Sequence, residues 1–323
     1  MNNQDKKPLV SIIVPVCNVA PYLRRSLDSI ANQTYKHWEC LLIDDGSRDE
    51  SGTICDEYVA RDSRFSVFHS ENRGVAMARQ YGINKAQGEY SIHIDADDWI
   101  ESNMLEDMIG EIKKASTDML ITDYYINQNG NIKKERQHLS SLENESIMRE
   151  MISGNVKGFL WNKMIRHILY TSANATFSPD INYGEDCLIC IQLLKADINV
   201  SYLPKAYYHY CIRGNSITSN YTCETFGMRK RYVERLKELL PSTKWGGVIS
   251  TCAYKIKIEA LYADVLTKEN FYNFCPSKIP QILSVLRPDV LPFAIFAYLG
   301  AFDIGKYVYK FIHLLGKRLK HIT

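Results

Sequence analysis

The sequence predicts an α/β protein with a mainly parallel, doubly wound sheet. Within the first 122 residues, apolar runs typical of buried strands alternate with segments whose apolar residues recur at helical spacing. Pro21 stands near the start of one helical segment and Gly88 follows another, where these residues favour helix starts and helix ends. Repeated strand-helix units of this kind form parallel sheets with helices on both faces.

The elements are expected in a regular order. The expected strands are residues 9–15, 38–44, 65–69, 90–95 and 118–122, and the expected helices are residues 23–30, 50–60, 74–86 and 102–115. Asn129-Gly130, between two strand-like runs, predicts a β-hairpin that extends the sheet. Because such sheets bind ligands at the carboxyl ends of their strands, the polar residues that follow the strands are the candidate site.

Length and composition limit the class of protein. A chain of 323 residues is longer than one core usually supports, so two regions are expected, 1–218 with the strand-helix pattern and 219–323 with a helical pattern. Hydrophobic residues make up 46% and charged residues 24%, which argues against disorder and against a polytopic membrane protein. Nine cysteines without regular spacing favour a reducing compartment, and Cys187 and Cys190 are expected to be buried rather than metal ligands.

Three carboxylates follow the fourth expected strand within four positions. On an extended chain Asp95 and Asp97 would share a face, while Asp98 would point the other way. Two carboxylates on one side fit Mg²⁺ or Mn²⁺, which are commonly held by such groups together with substrate phosphates. The alternative is a solvated acidic turn.

Asp44, at the end of the second strand, is a candidate for binding a nucleotide. No G-x-G-x-x-G follows the first strand and no P-loop sequence occurs, so neither a dinucleotide dehydrogenase nor a P-loop NTPase is supported. Asp44 could accept hydrogen bonds from a base or a ribose, with Gly46 allowing a tight turn beside the ligand. Alternatively, the residues after Asp44 form only a turn and a helix cap.

Four segments, taken together and in their order, resemble the signature of glycosyltransferase family 2. They are residues 10–16 (VSIIVPV), 42–47 (LIDDGS), 71–79 (ENRGVAMAR) and 94–98 (IDADD). The resemblance covers roughly residues 8–218 and implies a GT-A fold that transfers a sugar, with inversion, from a nucleotide diphosphate sugar. It implies that residues 8–122 bind the donor and residues 123–218 the acceptor.

The resemblance also implies roles for individual residues. Pro15 would lie beside the base, Asp44 would bind it, Asp95 would contact the ribose or the metal, and Asp97 would be the principal metal ligand. The metal would be Mn²⁺ or Mg²⁺. Arg73 or Arg79 would face the nucleotide or its phosphates, although Arg79 could instead form a structural salt bridge.

Glu185-Asp186, before an apolar helical run, resembles the family's acidic motif that supplies the catalytic base. An inverting transfer is a single displacement, so the acceptor hydroxyl must give its proton to a carboxylate opposite the departing diphosphate. Asp186 is preferred over Glu185 because the second residue of the motif carries the role by analogy. Alternatively, both acidic residues complement the helix dipole.

Two further segments resemble parts of the family. In residues 159–165, Trp161 could stack on a sugar and Lys163 could neutralise phosphate, although Trp161 could equally pack in the core. In residues 206–217, Arg213 could clamp the diphosphate and Ser216 could donate a hydrogen bond to it. His209 could be a metal ligand, but a packed or hydrogen-bonded histidine is the safer expectation.

The end of the chain predicts a membrane contact or a packed helix. Residues 290–302 contain thirteen residues without a charge, too few to span a bilayer. From Lys306 onward, apolar residues fall on one helical face, with five Lys or Arg and no acid. A basic amphipathic helix beside an apolar run is typical of peripheral contact with an anionic membrane, here through residues 290–320.

The resemblance and the basic amphipathic helix together predict a peripheral, inverting glycosyltransferase on the cytoplasmic face of a membrane, and the resemblance alone implies that it is bacterial. The resemblance implies surface polysaccharide biosynthesis and a glycan or lipid-linked glycan acceptor, and family frequency favours UDP. Nucleic acid is not an expected partner. A sugar nucleotidyltransferase is disfavoured because Cys17 to Pro21 lacks a glycine-rich, arginine-containing loop. A glycan-binding protein of the same fold is disfavoured because it would not need a base opposite a metal site.

Overall fold

Nine strands of the described residues form one mixed sheet in the first of two compact units. The computed structural model describes residues 7–213, 221–274 and 290–320, and the chain divides into the units Met1–Ser216 and Ile217–Thr323. The strands are β1 (Val10–Val16), β2 (Trp38–Asp45), β3 (Phe65–Ser70), β4 (Tyr90–His93), β5 (Trp99–Ile100), β6 (Met119–Gln128), β7 (Asn131–Glu135), β8 (Lys163–Arg166) and β9 (Val200–Cys211).

The strand order is β3-β2-β1-β4-β8-β6-β9-β5, with β7 paired to β6. The four strands β3, β2, β1 and β4 are parallel, and Val10 of β1 lies between Trp38 of β2 and Tyr90 of β4. Beyond β4 the sheet is mixed, because β8 runs antiparallel to both of its neighbours whereas β6 and β9 are parallel to each other. The predicted α/β class is therefore confirmed, with an all-parallel half, β3 to β4, and a mixed half beyond it.

Seven helices accompany the sheet among the described residues of this unit. They are α1 (Ala20–Ala31), α2 (Ser51–Arg61), α3 (Val75–Lys85), α4 (Met104–Ala115), α5 (Asn144–Ser153), α6 (Leu169–Ser172) and α7 (Glu185–Leu194). Leu23 and Leu27 of α1 share a buried cluster with Ile12 of β1. On the other face, a Cβ at Gly82 of α3 would lie 2.4 Å from Ile13, so α3 packs closely there. Helices therefore cover both faces, as a doubly wound sheet requires.

The fourth strand is shorter than the sequence predicts. It ends at His93 instead of Asp95, and the N–H of Ile94 makes its last bond to β1, to the Ile13 oxygen at 3.0 Å. Two residues further along β1 stands Pro15, which has no N–H to continue the ladder. The expectation that Asp95 and Asp97 project from an extended chain is therefore wrong.

The predicted β-hairpin is confirmed. Strands β6 and β7 pair with Gln128 opposite Asn131, and the two residues between them have positive φ values, 51° at Asn129 and 78° at Gly130. Asn-Gly is the pair that most readily adopts this turn.

The second unit is helical in its described residues. Its helices are α8 (Cys223–Leu239), α9 (Ser242–Tyr262), α10 (Lys268–Asn273), α11 (Leu291–Tyr298) and α12 (Phe302–Lys320). The uncharged run from residue 290 to 302 is interrupted at Gly300, whose φ of +84° separates α11 from α12. None of the helices in the described ranges combines the length and apolar character needed to cross a membrane.

Candidate active site

The Asp44 carboxylate is hydrogen-bonded to the loop that follows β2 and to His69 of β3. Its Oδ1 accepts a hydrogen bond from the Ser47 N–H at 3.1 Å, and its Oδ2 lies 2.8 Å from Nδ1 of His69. Gly46 has a φ of +68°, and a Cβ there would lie 2.7 Å from the Asn72 nitrogen, so this turn requires glycine. Each carboxylate oxygen of Asp44 has a second lone pair and can still accept a hydrogen bond from a ligand.

His69 is a site residue that the sequence reasoning missed. Its Nδ1 faces Asp44, and its Nε2 lies 3.2 Å from Oδ1 of Asp56. The hydrogen bond to Asp44, together with that to Asp56, raises the pKa of His69. The signal was available, because β2 and β3 are parallel neighbours and Asp44 and His69 are paired residues at their carboxyl ends.

The acidic segment after β4 forms a turn. The N–H of Asp98 donates to the oxygen of Asp95 at 3.0 Å. Asp98 is buried, and its carboxylate accepts hydrogen bonds from the Tyr208 hydroxyl at 2.7 Å and the Cys211 N–H at 2.8 Å. The third carboxylate thus attaches the turn to β9, whereas the side chains of Asp95 and Asp97 remain 27% and 36% exposed.

Two arginines converge on Asp97. Arg213 places Nη1 3.0 Å from Oδ2 of Asp97, and Arg213 and Arg25 both donate to its backbone oxygen, at 2.5 and 3.0 Å. The Arg213 guanidinium also lies over the Tyr22 ring, 3.3 Å from its centre. Burial, together with the negative charge of Asp95, raises the pKa of Asp97. Arg213 therefore lies beside Asp97, where its remaining N–H groups could donate to a phosphate.

Arg79 joins Asp95 to the acidic pair at the start of α7. Its Nη2 donates to Oδ1 of Asp95 at 2.8 Å, and its Nη1 donates to Oε1 of Glu185 at 2.7 Å. Nη1 also lies 2.9 Å from Oδ1 of Asp186. Arg79 therefore forms salt bridges, the second of the two predicted alternatives. These salt bridges bring together three carboxylates from distant parts of the chain.

Asp186 is buried beside this guanidinium. Its Oδ2 accepts a hydrogen bond from the Leu160 N–H at 3.1 Å, while its contact with Arg79 is an ion pair without hydrogen-bond geometry. Burial raises the pKa of Asp186 to about 7, and the Arg79 charge opposes this rise. A carboxylate with a pKa near neutrality is suited to act as a general base.

The carboxylate oxygens of Asp95 and Asp97 are suitable ligands for a hard divalent cation. Across the described residues there is no group of three or more His, Cys, Asp or Glu side chains that could hold a metal on its own. Mg²⁺ and Mn²⁺ need only one or two carboxylates when substrate phosphates supply further oxygens. A cation between Asp95 and Asp97 would also offset the negative charge and burial that raise the pKa of Asp97.

Three predicted contacts to sugar, phosphate or metal need correction. Trp161 is buried and stacks on Tyr208, with ring centres 4.2 Å apart, so it packs in the core. Lys163 is fully buried, and its ammonium donates to the Lys157 and Phe159 oxygens and to Asn162, which uses all three N–H groups and leaves none for phosphate.

His209 is the third of these contacts. It is buried, stacks against Trp99 and bonds to Glu101 through Nε2 at 2.9 Å. The packed histidine is therefore the arrangement that the structure contains, with the ring stacked between Trp99 and Tyr125 and Nε2 bonded to Glu101.

The remaining predicted residues are placed as follows. Pro15 is half-buried near the carboxyl end of β1. Arg73 has an exposed side chain, while its N–H donates to Asp45 at 2.7 Å and fixes the loop before α3. Ser216 lies outside the described residues.

The fold is of the GT-A type, and the chain belongs to glycosyl transferase family 2. The family model, described as Glycosyl transferase family 2, matches residues 11–173. This confirms the family resemblance carried by the four sequence segments.

A curated relative and solved structures are similar to this chain. EpsH of Bacillus subtilis (strain 168) is 32% identical over 225 residues, which cover 68% of this chain and 65% of EpsH, less than two thirds of that relative. S. aureus TarS 1–349 in complex with UDP-GlcNAc has a TM-score of 0.69 at 19% identity, covering 93% of this chain and 90% of that chain.

A second solved structure shares the fold. The mannosyltransferase PcManGT from Pyrobaculum calidifontis, in complex with GDP-Man and Mn²⁺, has a TM-score of 0.54 at 13% identity, covering 97% of this chain and 89% of that chain. At these identities the two structures show the fold alone.

Proposed function

We propose that the protein transfers a sugar from a nucleotide diphosphate sugar, preferably a UDP-sugar, to a hydroxyl of a glycan or lipid-linked glycan. The observation that carries this proposal is the bridge through Arg79, which connects Asp95 of the candidate metal site with Glu185 and Asp186. A binding protein would not need a buried base beside a donor site. The nucleotide sugars present in the TarS and PcManGT complexes support the same donor class.

The donor would be held at three places. Asp44 would accept a hydrogen bond from the base, with Pro15 beside it, and Arg213 would bind the diphosphate. Asp97 and Asp95 would hold Mn²⁺ or Mg²⁺, which when bound stabilises the negative charge that develops on the leaving diphosphate.

The acceptor would react in one displacement. Its hydroxyl oxygen forms the new bond to the anomeric carbon as the bond from that carbon to the diphosphate oxygen breaks. The hydroxyl proton passes to the carboxylate of Asp186, and the bonding electron pair leaves with the diphosphate. Attack opposite the leaving group inverts the anomeric configuration, and no covalent enzyme intermediate is required.

Calorimetric titration of UDP, GDP and dTDP into the full-length protein tests the donor class. With Mn²⁺ present, UDP is expected to bind more tightly than the other two, and EDTA should weaken that binding. The proposal of a nucleotide-sugar donor is contradicted if none of the three nucleotides binds with or without Mn²⁺.

His69 should contribute to nucleotide binding by holding Asp44. His69→Ala is expected to raise the dissociation constant of UDP about 3- to 10-fold, because it removes one hydrogen bond to the carboxylate that faces the base. His69→Asn is the matched control, since its amide N–H can replace Nδ1, and it should bind UDP more nearly as the wild type does. Equal UDP affinity for His69→Ala and the wild type in calorimetry would show that Asp44 needs no such support.

The proposal places the enzyme in bacterial surface polysaccharide synthesis, on the cytoplasmic face of the membrane. Contact with an anionic membrane through residues 290–320 is part of this proposal. It is supported by large apolar side chains of α11, α12 and their junction that are more than half exposed: Ile295, Leu299, Ile304, Tyr307 and Phe311. Lys306 and Lys310 of α12 both pair with Asp264, at 2.9 and 2.7 Å.

Removing two of these apolar side chains should weaken binding to vesicles. Leu299 and Tyr307 are 77% and 75% exposed, so Leu299→Ser with Tyr307→Ser should leave folding unchanged. Loss of their burial in lipid should lower the affinity for phosphatidylglycerol vesicles by about 10-fold or more, measured by co-sedimentation. Ile132→Ser, which removes an apolar side chain that is 60% exposed on β7, is the control. Wild-type protein that stays in the supernatant at low salt contradicts the membrane contact.

A further inference from the structure

Arg79 is enclosed by carboxylates and not by solvent. Its side chain is 5% exposed, and its two terminal nitrogens are 2.7 to 2.9 Å from Asp95, Glu185 and Asp186. A phosphate could reach this guanidinium only by displacing one of the three. The arrangement therefore does not favour the predicted phosphate contact for Arg79.

The charges of this cluster do not balance. One guanidinium faces three carboxylates, so the group carries an excess of negative charge when all three are ionised. Buried carboxylates in excess disfavour ionisation unless another cation is near. Asp97, the candidate principal metal ligand, lies two residues after Asp95 in the same acidic turn. A cation bound there would complete the neutralisation that Arg79 begins.

The two terminal nitrogens of the Arg79 guanidinium, called here the two ends of the fork, have different partners. Nη2 faces Asp95 in the turn after β4, and Nη1 faces Glu185 and Asp186 at the start of α7. Asp95 and Asp186 are each attached to a second part of the chain: the backbone N–H of Asp95 donates to the Tyr208 hydroxyl at 3.1 Å, and the Asp186 carboxylate accepts from the Leu160 N–H. A rigid, planar guanidinium can fix the separation of two such groups, whereas an ammonium is a point charge that cannot.

We propose that Arg79 is a positioning residue that couples the donor site to the catalytic base, by holding Asp95 and Asp186 on the two ends of one guanidinium. The inference rests on the proposed function. With donor and cation bound, Asp95 would hold Nη2 of Arg79, and Nη1 would hold Asp186 in the orientation that accepts the acceptor proton. Arg79 touches neither substrate.

Arg79→Lys separates positioning from charge. It keeps the positive charge and so the neutralisation of the buried carboxylates, but a single ammonium cannot face both ends of the fork. We expect a near wild-type melting temperature, a UDP dissociation constant in Mn²⁺ within about 3-fold of wild type, and a turnover number about 100-fold lower. Arg61→Lys, at a side chain of α2 that is 65% exposed, is the matched control and should keep full turnover.

A second measurement distinguishes positioning from a purely structural role. In an Asp186→Asn background, Arg79→Lys should lower turnover little further, because the group that it orients is already unable to accept a proton. Independent, multiplying effects of the two substitutions would overturn the inference.

The other outcomes are equally decisive. A raised donor KM with unchanged turnover in Arg79→Lys would assign Arg79 to phosphate binding and overturn the inference. If the wild type is active and Arg79→Lys keeps the same turnover number, the inference is contradicted but the proposed function is not. Wild-type protein that turns over no nucleotide sugar contradicts the proposed function, and the inference falls with it.

Discussion

Replacing Asp186 with asparagine should lower the turnover number for sugar transfer by about 10²- to 10⁴-fold, the contribution of a positioned general base. Asparagine has the same shape and can still accept the hydrogen bond that Leu160 donates at 3.1 Å, but it cannot take the proton of the acceptor hydroxyl. Binding of the nucleotide sugar should change little, because Asp186 is the general base and does not contact the nucleotide. The measurement is the rate of nucleoside diphosphate release at saturating donor.

Glu185→Gln is the matched control for Asp186→Asn. Both residues contact Arg79, at 2.7 Å for Glu185 and 2.9 Å for Asp186, so both variants remove one charge from the same cluster. Only the loss of the general base should lower turnover by about 10²-fold or more, whereas Glu185→Gln should lower it by about 10-fold. If Glu185→Gln has the larger effect, the base is Glu185 and the assignment to Asp186 is wrong.

The pH dependence of turnover follows from the same carboxyl group. Burial raises the pKa of Asp186 to about 7, and a general base acts only when it is unprotonated. Turnover of the wild type should therefore fall as the pH drops below about 7 and level off above it. The residual activity of Asp186→Asn should lack this decrease.

Replacing Asp97 with alanine should have the second large effect, on metal-dependent donor binding. Loss of the principal carboxylate ligand should weaken UDP binding in Mn²⁺ by about 100-fold or more. Even residues that only hydrogen-bond to metal ligands typically change metal affinity by about 10- to 100-fold when they are replaced. In EDTA, where no cation is held, the variant and the wild type should bind UDP about equally. Calorimetry in the two buffers measures the difference directly.

Asp62→Asn is the control for Asp97→Ala. Asp62 pairs with Arg64 at 2.6 Å, away from the acidic turn, and its replacement should leave the effect of Mn²⁺ on UDP binding unchanged. If Asp97→Ala still gains UDP affinity on addition of Mn²⁺ as the wild type does, Asp97 does not hold the cation.

The sequence predicted the fold and the position of the acidic residues because both depend on local patterns. Alternating apolar segments predicted the four parallel strands, and the polar residues after them are at the strand ends where Asp44 lies. The end of β4 could not be predicted from its own residues. It depends on Pro15 of the neighbouring strand, which cannot donate the next hydrogen bond.

Side-chain roles that depend on distant partners were harder to predict. Lys163 and His209 have the chemistry of phosphate and metal ligands. In the folded chain, however, the Lys163 ammonium donates to backbone oxygens and to Asn162, and His209 is buried with Nε2 bonded to Glu101. Arg79 resembled a phosphate ligand for the same reason. No local pattern reveals that three carboxylates surround it, because two of them lie more than a hundred residues away in the sequence.

The most direct test of the account is release of UDP by the full-length wild-type protein from a panel of UDP-sugars in Mn²⁺, with Asp186→Asn measured in parallel. We predict that at least one UDP-sugar is turned over by the wild type, that EDTA stops the reaction, and that the variant binds UDP but releases product far more slowly. Wild-type protein that binds UDP with Mn²⁺ yet turns over no UDP-sugar would contradict the assignment as a glycosyltransferase. It would favour a glycan-binding protein of the same fold.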